Sequence, residues 1–293
     1  MYSNKLYTPL RYPGGKAKFA PFIASTMEAN GLAGGHYLEP YAGGAAVALE
    51  LLFHGFAAHV HINDYDPAVY DFWISVTQTP EAVLKLVRDT PVTMEQWYYW
   101  RDVLRGNVQV DQPERGFATL FMNRTNRSGI LKAGVIGGLE QAGAYKLDAR
   151  FKKDVLVKRI ERIAASAKNI TVYNEDALTL LSRCHQLLPK CSLVYLDPPY
   201  YMKGQGLYRN FYGHEDHEQI ATLLQRQSGK FKRPWVVSYD NVKEIQTMYA
   251  LSRSLTYGLS YTAQKRYVGS EIMFFSNNLQ VLDDEIPSIS QSA

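Results

Sequence analysis

Asp197, Pro198, Pro199 and Tyr200 set an acceptor carboxylate, stiff backbone carbonyls and a flat ring side by side. That combination suits a planar amine, such as the adenine amino group, which donates hydrogen bonds in its own plane and offers a face for stacking. The residues ahead of it, Leu193, Val194, Tyr195 and Leu196, are a short apolar run of β-favouring types. Two prolines, which bring no N–H to a ladder, end that run, so it reads as a buried parallel strand with the carboxylate just past its end. In open α/β sheets the ligand crevice lies outside the carboxyl ends of the strands, which puts Asp197 and Tyr200 where substrates bind. Fixed proline φ angles hold this geometry at small entropic cost.

Three other acids stand in equivalent places. Tyr37 and Leu38 begin a strand that ends in Glu39, Pro40, Tyr41, Ala42, Gly43 and Gly44, and 47–53 continues as an apolar helix. Glycines in such a turn let a ligand approach the backbone. Their spacing does not fit Gly-x-Gly-x-x-Gly, which counts against a nicotinamide cofactor. An acid at the strand end suits a ligand with positive charge and no pyrophosphate. Val60, His61 and Ile62 form the next strand, and Asp64 after it is placed to hold ribose hydroxyls. Asp66, before Pro67, reads as the cap of a helix over 68–76. Asp176, after a strand at 170–173, fits two roles equally, the amino group of a cofactor's adenine ring or the cap of a helix over 177–188.

Near the start, Tyr12, Pro13, Gly14, Gly15 and Lys16 close an irregular lead-in. Phe19, Phe22, Ile23 and Met27 follow at helical spacing, so Lys16 sits at a helix N-terminus, where a basic group suits a carboxylate. A glycine turn with a surface lysine is the plain alternative for that segment alone.

Between 77 and 153 the sheet pattern lapses. The spacing predicts helices over 80–87 and 93–104, with Trp97 and Trp100 as core residues. An apolar stretch at 117–122 leads into Asn123, Arg124, Thr125, Asn126, Arg127, Ser128 and Gly129, and then a glycine-rich basic loop that includes Lys132. Asn and Arg read adenine and guanine edges bidentately, so this loop is the candidate for sequence readout, through Arg124, Asn126, Arg127 and Lys132. From 124 to 159 nine basic residues face three acidic ones, although the whole chain carries only +4. The concentration suits a polyanion; a solvated helix face explains part of it equally well.

Regular α/β character returns after 153. The pattern predicts a helix over 154–168, a helix over 218–226 capped by Asp216 and Gln219, a strand over 235–239, a helix over 242–249, and strands over 253–261 and 272–276. A mobile aromatic loop is expected from Gly204 to Gly213, and the acidic, serine-rich segment 283–293 is expected to be disordered. The 46% hydrophobic content of 293 residues excludes disorder as a whole. No run of eighteen apolar residues occurs, and the expectation is a soluble, cytoplasmic chain. Cys184 and Cys191 have neither a zinc nor a disulfide spacing, so inert thiols and no metal are expected.

In their order and type these motifs resemble the Dam-related, D12 class of adenine-N6 DNA methyltransferases. The residues at 12–16 look like that family's first cofactor motif, those at 39–44 its glycine turn, Asp64 its ribose-binding acid, and Asp197, Pro198, Pro199 and Tyr200 its catalytic tetrapeptide. The resemblance implies a Rossmann-like, S-adenosylmethionine-dependent methyltransferase sheet over 1–76 and 154–282, with 77–153 as an inserted, mainly helical target-recognition domain. It implies S-adenosylmethionine held by Tyr12, Lys16, Glu39, Gly43, Asp64, Asp176 and Asp197, catalysis by Asp197, Pro198 and Tyr200, and double-stranded DNA as substrate. It is compatible with a companion restriction endonuclease in a prokaryotic or phage-host cell. Readers of GATC in this class carry an Asn-Arg-x-Cys-Phe-Asn-Gly type of run where this chain has Asn123, Arg124, Thr125, Asn126, Arg127, Ser128 and Gly129, so a GATC target does not follow. RNA adenine or DNA cytosine-N4 methylation, and DNA binding without catalysis, are the alternative readings.

Overall fold

Short apolar runs alternate with helical periodicity, and the chain folds accordingly. The computed structural model describes residues 7–12, 16–202, 212–226, 231–261 and 267–282. Most of the expected aromatic loop, the segment from Asp283 on, and Pro13, Gly14 and Gly15 lie outside the described residues. The first elements are α1 (Ala20–Ala29), β1 (Gly35–Glu39), α2 (Ala46–Phe53) and β2 (Ala57–Asn63). Five helices follow: α3 (Pro67–Gln78), α4 (Pro80–Asp89), α5 (Met94–Leu104), α6 (Gln112–Thr125) and α7 (Lys153–Ala165). After them come β3 (Ile170–Tyr173), α8 (Ala177–Ser182), α9 (Cys184–Leu187), β4 (Ser192–Leu196) and α10 (His214–Gln225). The last are β5 (Trp235–Asp240), α11 (Lys243–Met248), β6 (Arg253–Tyr261) and β7 (Tyr267–Phe275).

Two compact units share these elements, one formed by 16–65 with the chain from Glu175 on, the other by 7–12 with 66–174. In the first unit six strands lie in the order β2-β1-β4-β5-β7-β6. β1 pairs in parallel with β2 and β4, and β4 with β5, whereas β7 is antiparallel to both β5 and β6. The four parallel strands therefore end on one edge, each in or just before a polar residue: Asn63, Glu39, Asp197 and Asp240. Side chains alternate across a sheet, so Glu271, Met273 and Phe275 of β7 share the face on which α1 packs, with Phe22 against Phe275 and Phe19 against Tyr257. On the other face Tyr249, just past α11, stacks on Phe274. β7 begins five residues before the expected strand, and α10 begins at His214, where the Asp216 carboxylate accepts the Gly213 N–H at 2.7 Å.

The second unit is a helical bundle that ends in β3. Trp97 and Trp100 are buried as expected, with Trp100, Phe117, Phe121 and Phe151 in successive ring contact. α6 starts earlier than its apolar stretch, because Asp111 and Glu114 close a capping box ahead of it. α3 packs on α6, and α7 on α3 and α4, so the boundary of packing falls at Asp66 and Asn174 rather than at 76 and 154. α3 and α6 come together at Gly116, where an added Cβ would lie 2.6 Å from both the Asp71 carbonyl oxygen and Ser75 Oγ. Arg115 Nε donates to Asp71 at 2.8 Å beside this contact. Backbone oxygen cannot rotate away, so Gly116→Ala is expected to destabilise this unit by about 1–3 kcal/mol. A urea denaturation midpoint unchanged from the parent would contradict that packing.

Candidate active site

Asp197 leaves β4 as its first residue past the ladder, and its side chain is 28% exposed. Oδ1 accepts a hydrogen bond from Ser238 Oγ at 2.7 Å, and Ser238 Oγ lies 2.9 Å from the Tyr195 hydroxyl. Oδ2 has no hydrogen-bond partner among the described residues. Burial raises the Asp197 pKa above the ordinary carboxylate value, Lys16 opposes that rise and Glu271 adds to it. The turn after it is pinned from β5: the Asp240 carboxylate accepts the Tyr201 N–H at 2.9 Å and the Met202 N–H at 3.1 Å. Pro198 is buried within that turn.

Tyr200 is 7% exposed and gives its hydroxyl hydrogen to Glu271 Oε1 at 2.6 Å. Lys16, ahead of α1, donates to Glu271 Oε2 at 2.6 Å and to the Tyr200 hydroxyl at 3.3 Å, and its Nζ lies 3.6 Å from Asp197 Oδ1. The lysine is thus buried and ion-paired, not a surface residue of a glycine turn. Glu271 was not anticipated from the sequence, because the expected strand began one residue later; one acid flanking Ile272, Met273, Phe274 and Phe275 is the signal that marks it.

On β1, the strand next to β4, Glu39 accepts hydrogen bonds from the Tyr37 hydroxyl at 3.1 Å and the Ala48 N–H at 2.9 Å. Burial pushes its pKa up to about 8 against those two bonds. Gly43, with φ of +46°, turns its N–H onto Asp64 Oδ2 at 2.9 Å. Asn63 braces the same turn: its amide donates to the Pro40 carbonyl at 2.8 Å and the Glu175 carbonyl at 3.0 Å and accepts the Glu175 N–H at 2.9 Å. Asp176 Oδ1 caps α8 through the Thr179 N–H at 3.0 Å, so the cap is one of its two expected roles. Asp66 caps α3 through the Ala68 N–H. Glu39, Gly43, Asp64, Asp197 and Lys16 all belong to the first unit; Tyr12 is half-buried in the second.

The four residues expected at nucleic acid divide evenly. Arg124 is buried, and its guanidinium donates to the Pro9 carbonyl. Desolvation lowers its pKa to about 9, with Arg159 and Arg11 adding repulsion. Asn126 is fully buried; its oxygen accepts the Trp97 indole N–H at 2.7 Å and its amide donates to the Leu131 carbonyl at 2.9 Å. Arg124 lies in the last turn of α6 and Asn126 just past it, both turned inward, which corrects the expectation that they stand in a loop and reach base edges. Arg127 and Lys132 are exposed. Cys184 is buried, its thiol pushed up to about 12 by desolvation, and Cys191 is exposed.

A carboxylate oxygen with no partner among the described residues, at a sheet edge one strand from a buried acid and a glycine turn, can hold an amine beside a cationic ligand. The D12 class N6 adenine-specific DNA methyltransferase family matches residues 12–264. Among proteins of curated function none matches this chain. Two solved structures align over most of it. One, of Pyrococcus horikoshii, is described as a candidate RNA methyltransferase; it is 10% identical, with 94% of this chain and 90% of that one covered, at a TM-score of 0.42. The other, an S-adenosylmethionine-dependent methyltransferase of Agrobacterium tumefaciens, is 9% identical, with 89% and 60% covered, at a TM-score of 0.42. Among the described residues no helix is long and apolar enough to cross a membrane. Asn63→Ala strips three hydrogen bonds from the braced turn and is expected to cost about 2–3 kcal/mol; a stability loss in urea below 1 kcal/mol, about the worth of one such bond, would show the brace to be dispensable.

Proposed function

The chain belongs to the D12 class N6 adenine-specific DNA methyltransferase family, and from that premise we propose that it methylates adenine N6 within a particular sequence of duplex DNA. It is an adenine methyltransferase that uses S-adenosylmethionine, which supplies an electrophilic methyl on a sulfonium. The residues at the edge fit such a ligand. A buried acid with its pKa near 8 at the end of β1 calls for a cation, and Asp64 beside the Gly43 turn offers acceptors without a phosphate cradle.

The observation that carries the reading is the division of labour on Asp197. Ser238 holds Oδ1 and orients the carboxylate, and Oδ2 is left for a donor. An adenine amino group has its lone pair delocalised into the ring. Acceptance of its two N–H bonds by Asp197 Oδ2 and the Pro198 carbonyl favours a pyramidal nitrogen with a localised pair. A raised Asp197 pKa makes that carboxylate the stronger acceptor. Tyr200 stacks on the base once it is drawn out of the duplex. Holding both reactants at one sheet edge supplies much of the acceleration.

On the second unit the DNA-facing candidates are Arg127 and Lys132, with Tyr98 and Tyr99 of α5 also exposed and the Arg101 guanidinium 4.9 Å from the Tyr98 ring centre. Such a mixture of bases and rings tracks phosphates and stacks on bases.

Asp197→Ala is expected to abolish methyl transfer to duplex DNA, with labelled cofactor, while DNA retention on a filter stays within about threefold; measurable turnover in that variant would refute the assignment, and preference for an RNA substrate would replace DNA as the target. Glu39 supports a second test. A cation bound beside it lowers its pKa from about 8, so S-adenosylmethionine binding at pH 7 is expected to release about one proton. Calorimetry in buffers of different ionisation enthalpy measures that number, and Glu39→Gln is expected to bring it to zero; equal release by both proteins would remove Glu39 from the cofactor site.

A further inference from the structure

Two carboxylates and one ammonium meet under the 197–200 turn. Lys16 is 5% exposed and Glu271 is fully buried. The ammonium is in full contact with Glu271, at 2.6 Å, and stands off from Asp197, at 3.6 Å. Glu271 holds more than the lysine, since the hydroxyls of Tyr200 and Tyr257 donate to it at 2.6 and 2.7 Å. The strand register makes this arrangement: Glu271 of β7 lies opposite Asp240 of β5 on one side and Tyr257 of β6 on the other. One side chain thereby joins the lysine before α1, the ring of the catalytic turn and the two last strands.

Resting on the reading given under Proposed function, we propose that Glu271 is a positioning residue for methyl transfer: it draws the Lys16 ammonium away from Asp197, leaving that carboxylate to the substrate amine, and fixes the hydroxyl end of Tyr200. Opposite charges inside a protein close to contact unless something competes, because their attraction is screened far less than in water. Without Glu271 the ammonium has one carboxylate to pair with, and a paired Asp197 is a poorer acceptor for an amino group. The Lys16–Glu271 pair itself is neutral. Tyr200 completes the argument, since a ring that stacks on a base needs a fixed plane, and its hydroxyl is tied to the Glu271 oxygen not bonded to Lys16.

The groups that set the Asp197 charge are Lys16, Glu39 and Tyr37 from β1, Tyr195 from its own strand, Tyr257 from β6 and Glu271 from β7. Deleting the Glu271 charge removes a contribution that raises the Asp197 pKa and releases Lys16, which lowers it. Both changes have the same sign. Loss of packing alone would not single out the charge.

The test titrates the Asp197 carboxyl carbon by ¹³C NMR in the full chain. In Glu271→Gln the titration is expected to move down by about one pH unit, the acidic limb of kcat to follow it, and kcat to fall about tenfold to a hundredfold. In Tyr257→Phe, which removes one hydrogen bond to Glu271 and keeps both charges, it is expected to stay within about 0.3 unit of the parent. An unmoved or raised titration in Glu271→Gln, or an equal displacement in Tyr257→Phe, overturns the proposal. Should the glutamine variant not fold, Glu271→Asp draws the charge back by one methylene and is expected to give a smaller downward move; no move there overturns it as well. If the parent chain fails to methylate adenine in DNA while the titration still shifts, the functional reading falls and the electrostatic role of Glu271 stands.

Discussion

A carboxylate taken out of water must be paired, hydrogen-bonded or protonated, and one edge of this sheet carries several. Asp64 spends an oxygen on the Gly43 N–H, Glu39 takes the Tyr37 hydroxyl and the Ala48 N–H, Asp197 takes Ser238, and Glu271 takes Lys16 with two tyrosines. These solutions differ in what they leave over. Glu271 is deeply satisfied, and breaking such a buried pair by removing one partner costs about 3–5 kcal/mol. Asp197 is satisfied on one oxygen and partly exposed, so it keeps acceptor capacity that Glu271 does not.

That contrast follows from strand direction. Parallel neighbours β2, β1, β4 and β5 deliver their polar ends to the same edge, where backbone pairing stops and side chains take over. β7 enters antiparallel, so its early residues rather than its last reach that edge, opposite Asp240. Alternation then decides the face. Ser238 and Asp240 lie two residues apart on β5, one orienting the Asp197 carboxylate and the other holding the next turn by two backbone N–H groups. A shift of β5 by one residue would send both to the face where Tyr239 packs against His217, and neither could reach the turn.

Much of this edge was legible because strand ends announce themselves. Prolines after Leu196, glycines after Glu39 and an acid after the next apolar run each mark where a ladder stops, and the direction of a parallel strand tells which end faces the ligand. Glu271 was not legible for the same reason in reverse. An antiparallel strand brings its start to the site, and a start carries no breaker to locate it; the apolar pattern reads cleanly only from Ile272. Asp176 stayed ambiguous because an Asp ahead of a helix has the same sequence signature whether it caps or binds, and one of its oxygens caps. The compact units divide at Asp66 and Asn174 instead of 76 and 154 because α3 and α7, whose amphipathic spacing is that of sheet-covering helices, pack on α6 and α4.

Asn123 and Arg124 in the last turn of α6, and Asn126 at its end, show why chemistry-bearing residues beside a loop mislead most. Side-chain amides that can read a base edge can equally replace a backbone ladder, and the irregular chain that follows the end of α6 has backbone groups to satisfy. Asn123 accepts the Arg11 N–H at 2.7 Å and donates to the Arg11 and Gly129 carbonyls at 2.8 Å, and Asn126 closes the next turn in the same manner. Gly129, with φ of +77°, lets the Arg11 carbonyl approach where a Cβ would stand 2.4 Å from its oxygen. Three of the polar residues in that run are therefore the frame of the loop, and Arg127 projects from it. A rigid frame lowers the ordering cost of whatever it presents, and the buried amides fix the neighbours they hold in place.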